Sequence, residues 1–348
     1  MSADSSRFVF KEIDEMLVAG YRAPVKQRSE IPPRFTYLRE VCNDIITGPG
    51  MVIFRFDTGI EEGFDAEVAF PVSQVYEDDV VKSYKLESVT AMSYSWKGPK
   101  TELSAALREI RDYANSRGMP HGLSPREIYH KDPMGDDLDV EILATFHDWD
   151  RRFSDGLESI LGPEIREEVM KGYDKITPHT EACVRGQWAI DAIMKLDSIA
   201  TEEQKYEVIS GCAHVRPIEE ILKLKAVYDR NKNVDEFLEV WGNSLPFIVK
   251  PYREGNIIYQ TKPPADPEAY KKATTQEEII RAACFCPIVK ATLDRMPRTF
   301  CYCGAGWSRQ LYETVFGEKL KIEIAETVID GGKLCKYAIH LPSHLTPE

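Results

Sequence analysis

Between residues 8 and 146, short apolar and aromatic runs alternate with two stretches of helical spacing. FVFKEI, MLVAGYR, MVIFRFD, AEVAFPV, REIYHKD and VEILATF are rich in β-branched and aromatic residues, as half-buried strands are. Residues 33 to 46 put Phe35, Leu38, Val41 and Ile45 on one face of a helix that Pro32 and Pro33 can start, because a missing N–H costs nothing in the first turn. A second helix carries Leu103, Ala106, Leu107, Ile110 and Ala114, with Thr101 as its expected cap and Gly118 as its expected left-handed end. The pattern then repeats. LVAGYR at 17–22 is matched by VTAMSY at 89–94, IFRFD at 53–57 by IYHKD at 128–132, and FDAEVAFPV at 64–72 by LDVEILATF at 138–146, with offsets of 72, 75 and 74. A steady offset means one supersecondary unit used twice. Each copy reads strand, helix, strand, strand. Two copies predict a pseudo-twofold α+β module with helices over one face of antiparallel sheets, and a ligand on the opposite, concave face.

After Phe146 the pattern changes to helices, so the boundary is expected near Asp148, dividing the chain into 1–148 and 149–348. Residues 157–174, 180–197, the stretch through YEVISGCAHV, 217–230 and 234–242 all read as helical. From 257 the chain is mixed again. IIYQTK predicts a strand, CYCGAG a turn, WSRQLYETVFG a helix, and KLKIEIAETV and KLCKYAIHL two strands joined at Asp330-Gly331-Gly332. The second domain is therefore expected to be a helical segment followed by a small cysteine-rich α+β module.

Composition adds few constraints. The chain has 348 residues, a formal net charge of −13 and no Lys/Arg-rich stripe, so a nucleic-acid partner is not expected. It has no apolar run of membrane-spanning length, and its first residues lack the basic-then-apolar pattern of a secretory signal. A cytoplasmic location follows as the expectation, with a small molecule as partner, no membrane, and a homodimer left open. In that compartment a cysteine cluster points to metal or catalysis before disulfides.

Four of the eight cysteines fall in two Cys-x-Cys pairs, Cys284 with Cys286 and Cys301 with Cys303. On extended strands, residues two apart face the same side, so the pairs could close a four-thiolate site for zinc, an iron–sulfur cluster or a soft toxic metal or metalloid. The alternative is that the thiols only pack. Cys212 and His214, two residues apart in GCAHVRP, could add a ligand or a reactive thiol. In the first domain Glu67 and Glu141 each sit mid-strand among apolar residues, where burial would raise a carboxylate's pKa and suit it to a ligand cation or to acid–base work. Alternation could equally turn both to water.

The run GLSPREIYHKDP followed by DLDVEILATF, after the VTAMSYSWKGP strand and one long helix, resembles the GyrI-like family, related to the effector-binding domains of multidrug-responsive activators. The resemblance covers about residues 6–148. It implies a cleft for bulky, often cationic aromatic molecules, with a glutamate at its base: Glu141, with Glu67 as its counterpart in the first copy. Tyr94, Trp96 and Tyr129 are the implied walls. The chain departs from the family at Ala144-Thr145-Phe146, where members commonly carry a proline. The second half is similar to an uncharacterised cysteine-rich family, and more distantly to 4-vinyl reductase-type hydrocarbon-binding domains, through CFCP, CYCGAGW, the GCAH segment and the ending that carries Cys335. These resemblances imply a ligand-binding protein for sensing or detoxification. Some proteins like the first half are hydrolases that open strained rings; in that case Glu141 or Glu67 would activate water, and Tyr94 or Tyr129 would orient or protonate the substrate. A third expectation is a thiol-based metal or redox protein.

Overall fold

The structure is a computed structural model that describes residues 5–55, 63–119, 124–216, 218–244 and 248–346. The chain forms two compact units, Met1–His147 and Asp148–Glu348. In the first unit it runs β1 (Val9–Ile13), β2 (Met16–Val25), α1 (Pro32–Cys42), β3 (Gly50–Arg55) and β4 (Phe64–Pro71). It then repeats as β5 (Val81–Leu86), β6 (Val89–Pro99), α2 (Leu103–Ser116), β7 (Arg126–Tyr129) and β8 (Asp137–Thr145). Each copy is thus strand, strand, helix, strand, strand, one strand more than the sequence pattern predicts. Pairing is antiparallel throughout, and a single sheet of eight strands forms in the order β1-β6-β8-β7-β3-β4-β2-β5. The order is symmetric about the β7–β3 junction. The outer strands are exchanged, β1 pairing with β6 of the second copy and β5 with β2 of the first.

Strand register corrects the repeat by one residue. Arg22 stands opposite Glu67, and Ser95 opposite Glu141, so β2 and β6 are related by an offset of 73. Gly20 and Ser93 are then equivalent, as are Lys11 and Tyr84. Phe56, Asp57 and residues 122–123 of the matched runs lie outside the described residues.

The helices cover one face, where Phe35 and Leu38 of α1 and Ala106, Ile110 and Tyr113 of α2 pack on Ala66, Val68, Phe70, Met92, Val140 and Ile142. The other face carries Val18, Met51, Ile53, Ala69 and Leu86. Arg34 is buried at the start of α1, and its guanidinium donates to the carbonyls of Ala23, Pro24 and Ala66, tying the helix to β2 and β4. α1 stops at Cys42 and tightens into a 3-10 turn, Asn43–Ile45, short of the predicted end. Thr101 does not cap α2, because Lys100–Glu102 form a 3-10 turn and no side chain caps the helix. Gly118 does adopt a left-handed conformation, at φ 68°.

The second unit begins with α3 (Trp149–Leu161), α4 (Pro163–Val169), α5 (Ala182–Ile199), α6 (Glu202–Gly211), α7 (Ile218–Asn231) and α8 (Val234–Gly242). The stretch predicted as one helix from 157 is broken by Gly162, at φ 91°, before Pro163. Pro217, the expected first residue of α7, lies outside the described residues. Then follow β9 (Tyr252–Glu254), β10 (Ile257–Thr261), α9 (Pro267–Lys272), α10 (Gln276–Ala283), α11 (Pro287–Thr292), α12 (Tyr302–Phe316), β11 (Lys321–Glu326) and β12 (Lys336–His340). The four strands form a sheet in the order β11-β12-β10-β9. A 3-10 turn at Val328–Asp330 lengthens the last connection, so it is not a tight hairpin. Two cores result. Trp149, Phe153, Leu157, Trp188, Ile193 and Val208 build the first; Phe237, Trp241, Leu311, Tyr312, Ile322 and Ile339 build the second.

CYCGAG is not a turn but the first turn of α12. Its glycines serve packing. A Cβ on Gly306 would lie 1.9 Å from the Ser210 carbonyl oxygen, and one on Gly304 would lie 1.9 Å from the Tyr337 hydroxyl.

Candidate functional site

The first unit does not gather the expected cleft residues on one face. Strand alternation sends Glu67 and Glu141 to the face away from the helices, while Tyr94, Trp96 and Tyr129 face the helices. There each carboxylate is already paired within the protein. Arg55 Nη2 donates to Glu67 Oε2 at 2.8 Å, and Gly20 lies so close that a Cβ there would meet Glu67 Oε1 at 2.1 Å. At the equivalent places in the second copy, Lys11 pairs with Glu141, Ser93 Oγ donates to Glu141 Oε1 at 2.5 Å, and His130 Nε2 stands 3.8 Å from Oε2. Burial alone would raise the pKa of Glu141, but Lys11 and Ser93 outweigh it and the pKa is lowered. The expected raised, ligand-ready carboxylate is therefore corrected at Glu141. Tyr94 donates to Glu109 at 3.0 Å and is met by Arg7; with Trp96 it lines an open hollow beside α2.

Tyr129 belongs to a different place, a cavity of about 120 Å3 between α1 and α2 that is also lined by Arg28, Ile31, Phe35, Leu103 and Leu138. Behind it lies Glu127, two residues along β7 and on the same face, with 1% exposure. The Tyr129 hydroxyl donates to Glu127 Oε2 at 2.8 Å, and Arg28 pairs with the same oxygen. Among the described residues Glu127 Oε1 has no hydrogen-bond partner. The Arg28 guanidinium also lies over the Phe54 ring, 5.0 Å from its centroid. Burial opposes the charge on Arg28, yet Glu127 and Tyr129 prevail and hold its pKa above the ordinary value. Burial first, and then the Glu127 charge, push the Tyr129 phenol far up, so it remains a protonated donor. Glu127 is absent from the sequence-derived candidates. The signal was present in REIYHKD, where a carboxylate sits two residues before an aromatic candidate and so shares its face.

In the second unit the thiols converge, though not on strands. Cys284 caps the end of α10, Cys286 starts α11, Cys301 and Cys303 begin α12, and Cys335 immediately precedes β12. All five pack at the edge of the first core, with Cys301 and Cys335 touching the second as well. Cys301 interacts electrostatically with Cys335, Cys284 and Cys286, and Cys286 with Cys303. Burial pushes Cys284 up to about 12 and Cys286 and Cys303 up to about 11, although backbone N–H groups of Val289 and Ile288 favour the Cys286 thiolate. Lys262 offsets the same burial at Cys284, Cys286, Cys301 and Cys303, and the buried Trp149 indole does so at Cys303. Cys212 is sealed off, donating to the Val208 carbonyl at 3.3 Å, while its own carbonyl accepts from Cys303 at 3.5 Å. Among the described residues, no group of three or more His, Cys, Asp or Glu side chains is arranged to hold a metal ion as it stands.

A family profile described as a family of unknown function (DUF6144) matches residues 277–345, the part that carries these five cysteines. No curated protein matches the chain. The solved structures that match each cover about 40% of this chain. The EcmrR C-terminal domain matches at 20% identity over 40% of this chain and 96% of that one, with a TM-score of 0.35. EcmrR in a DNA complex matches at 20% identity over 40% of this chain and 56% of that one, with a TM-score of 0.36. SAV2435, solved with tetraphenylphosphonium, matches at 12% identity over 41% and 96% with a TM-score of 0.32, and a Listeria innocua hydrolase at 14% over 41% and 93% with a TM-score of 0.30. No helix among the described residues is long and apolar enough to cross a membrane.

Proposed function

We propose that the first unit binds a small aromatic molecule bearing a cationic or N–H group in the cavity between α1 and α2, with Glu127 as the acceptor, in a sensing or detoxifying role. The observation that carries this reading is the Arg28 guanidinium. It is held by a buried carboxylate, a tyrosine hydroxyl and an aromatic face, the chemistry that recognises organic cations. The protein's own cation thus occupies the place a ligand cation would take. The Arg28 side chain is 35% exposed, so it can leave without crossing the core. A cavity of about 120 Å3 holds roughly one ring, since a cavity of about 150 Å3 holds benzene. A bulkier ligand must spread α1 from α2. With a net charge of −13, the reading includes no nucleic-acid partner.

Calorimetric titration with tetraphenylphosphonium and with smaller aromatic ammonium ions tests it. Glu127→Gln should weaken binding by about tenfold or more, and Arg28→Met, which removes the competing charge, should strengthen it. Glu67→Gln and Glu141→Gln should change it little. Equal loss in all four variants would overturn the assignment. The 2.8 Å contact of Tyr129 with Glu127 also supports a hydrolase reading, in which Glu127 activates water and the protonated phenol serves as the acid. Recovery of a strained-ring probe unchanged after long incubation would reject that reading, and a water adduct lost in Glu127→Gln would favour it.

A further inference from the structure

Six of the eight cysteines come together in the second unit from four separate stretches of the chain. Cys212 is fully buried, while the residues Cys284, Cys286, Cys301, Cys303 and Cys335 each keep part of their surface exposed. The second observation is the set of donors aimed at these sulfurs. The Trp149 indole N–H is buried without a hydrogen-bond partner, in the same cluster that Cys303 packs against. Backbone N–H groups at the start of α11 face Cys286, and the N–H of Cys286 faces Cys284. Lys262 acts on Cys284, Cys286, Cys301 and Cys303, with its ammonium held over the Phe285 ring at 4.7 Å. Neutral thiols gain little from such donors, whereas metal-bound thiolates are held and tuned by them.

We propose that Cys284, Cys286, Cys301, Cys303 and Cys335 form a binding site for a thiophilic metal ion, with Cys335 a ligand that the two Cys-x-Cys pairs do not reveal. All-sulfur donors select Zn(II) or Cu(I) over hard cations. As each metal–sulfur bond forms, the thiol's proton passes to solvent, and no electron is transferred. Five thiolates exceed the charge of one such ion, and the Lys262 ammonium offsets part of the excess. The thiols do not yet stand at bonding positions. Binding requires the sulfurs to draw together on the ion.

The test uses the full chain, reduced and stripped of metal, titrated separately with Zn(II), Cu(I) and Co(II), with bound metal and free thiols counted. At least one of the three ions should bind, Co(II) giving sulfur-to-metal charge-transfer absorption if it is the one taken up. Mass-spectrometric alkylation should find the five cysteines protected and the exposed Cys183 reactive. Cys335→Ser should weaken binding by about tenfold or more, while Cys183→Ser should leave it unchanged. Circular dichroism checks the fold of both variants, and the protection pattern of the unaltered protein decides the matter if Cys335→Ser misfolds. Failure of all three ions to bind with Kd below about 1 μM, or binding that leaves Cys335 freely alkylated, overturns the proposal.

Discussion

Single residues in this chain acquire their chemistry from what is placed beside them. Glu67 and Glu141 sit at equivalent positions of the two copies, yet one meets an arginine and a glycine and the other a lysine, a serine and a histidine. Both are satisfied ion pairs, which is why neither is left to meet a ligand. Glu278 illustrates how far placement alone shifts a titration. Its carboxylate accepts from the backbone N–H groups of Thr274 at 2.7 Å and Thr275 at 3.0 Å, and these bring its pKa to about 2. A carboxylate whose pKa falls on folding stabilises the native state above its unfolded value of 4.5, and that contribution disappears as pH drops from 4.5 towards 2. Thermal unfolding followed across this window should show a steeper loss of stability in the wild type than in Glu278→Gln. Parallel curves would mean that Glu278 contributes nothing through its charge.

At the scale of elements, α12 links the thiol cluster to the cores. Its first turn carries Cys303, and its glycines allow it to seat against the carbonyl of Ser210 and against Tyr337. Gly306→Ala would place a methyl 1.9 Å from a backbone oxygen that cannot step aside, so urea unfolding should register a loss of about 1–3 kcal/mol. Gly211, at the end of α6, has open space where its Cβ would be, and Gly211→Ala is the control. That variant should be neutral or stabilised by up to about 1 kcal/mol. An equal effect at both positions would refute the close-packing account of CYCGAG.

For the whole molecule, the cores fall within the units. The first unit's two clusters draw only on residues 8–146, and the second unit's only on residues 149–345. The first unit also closes its own sheet, because β1 and β5 are exchanged between its two copies. A fragment ending at His147 should therefore unfold in one cooperative urea transition with resolved near-ultraviolet dichroism. A dye-binding, non-cooperative fragment would show that this unit needs the rest of the chain.

Local pattern determined the elements and the doubling. Periods of two and of three to four residues, together with a repeat near 74, made the pseudo-twofold α+β module legible, as well as the helical middle and the cysteine-rich end. Only the tertiary structure decided what those elements bring together. Alternation along β7 and β8 put Tyr129 with Glu127 and away from Glu141, and a one-residue difference in register reverses such an outcome. The pairing of Arg28 with Glu127, and the meeting of Cys335 with the Cys-x-Cys pairs, join residues far apart in the chain. Such contacts depend on strand order and helix seating, which no local period encodes.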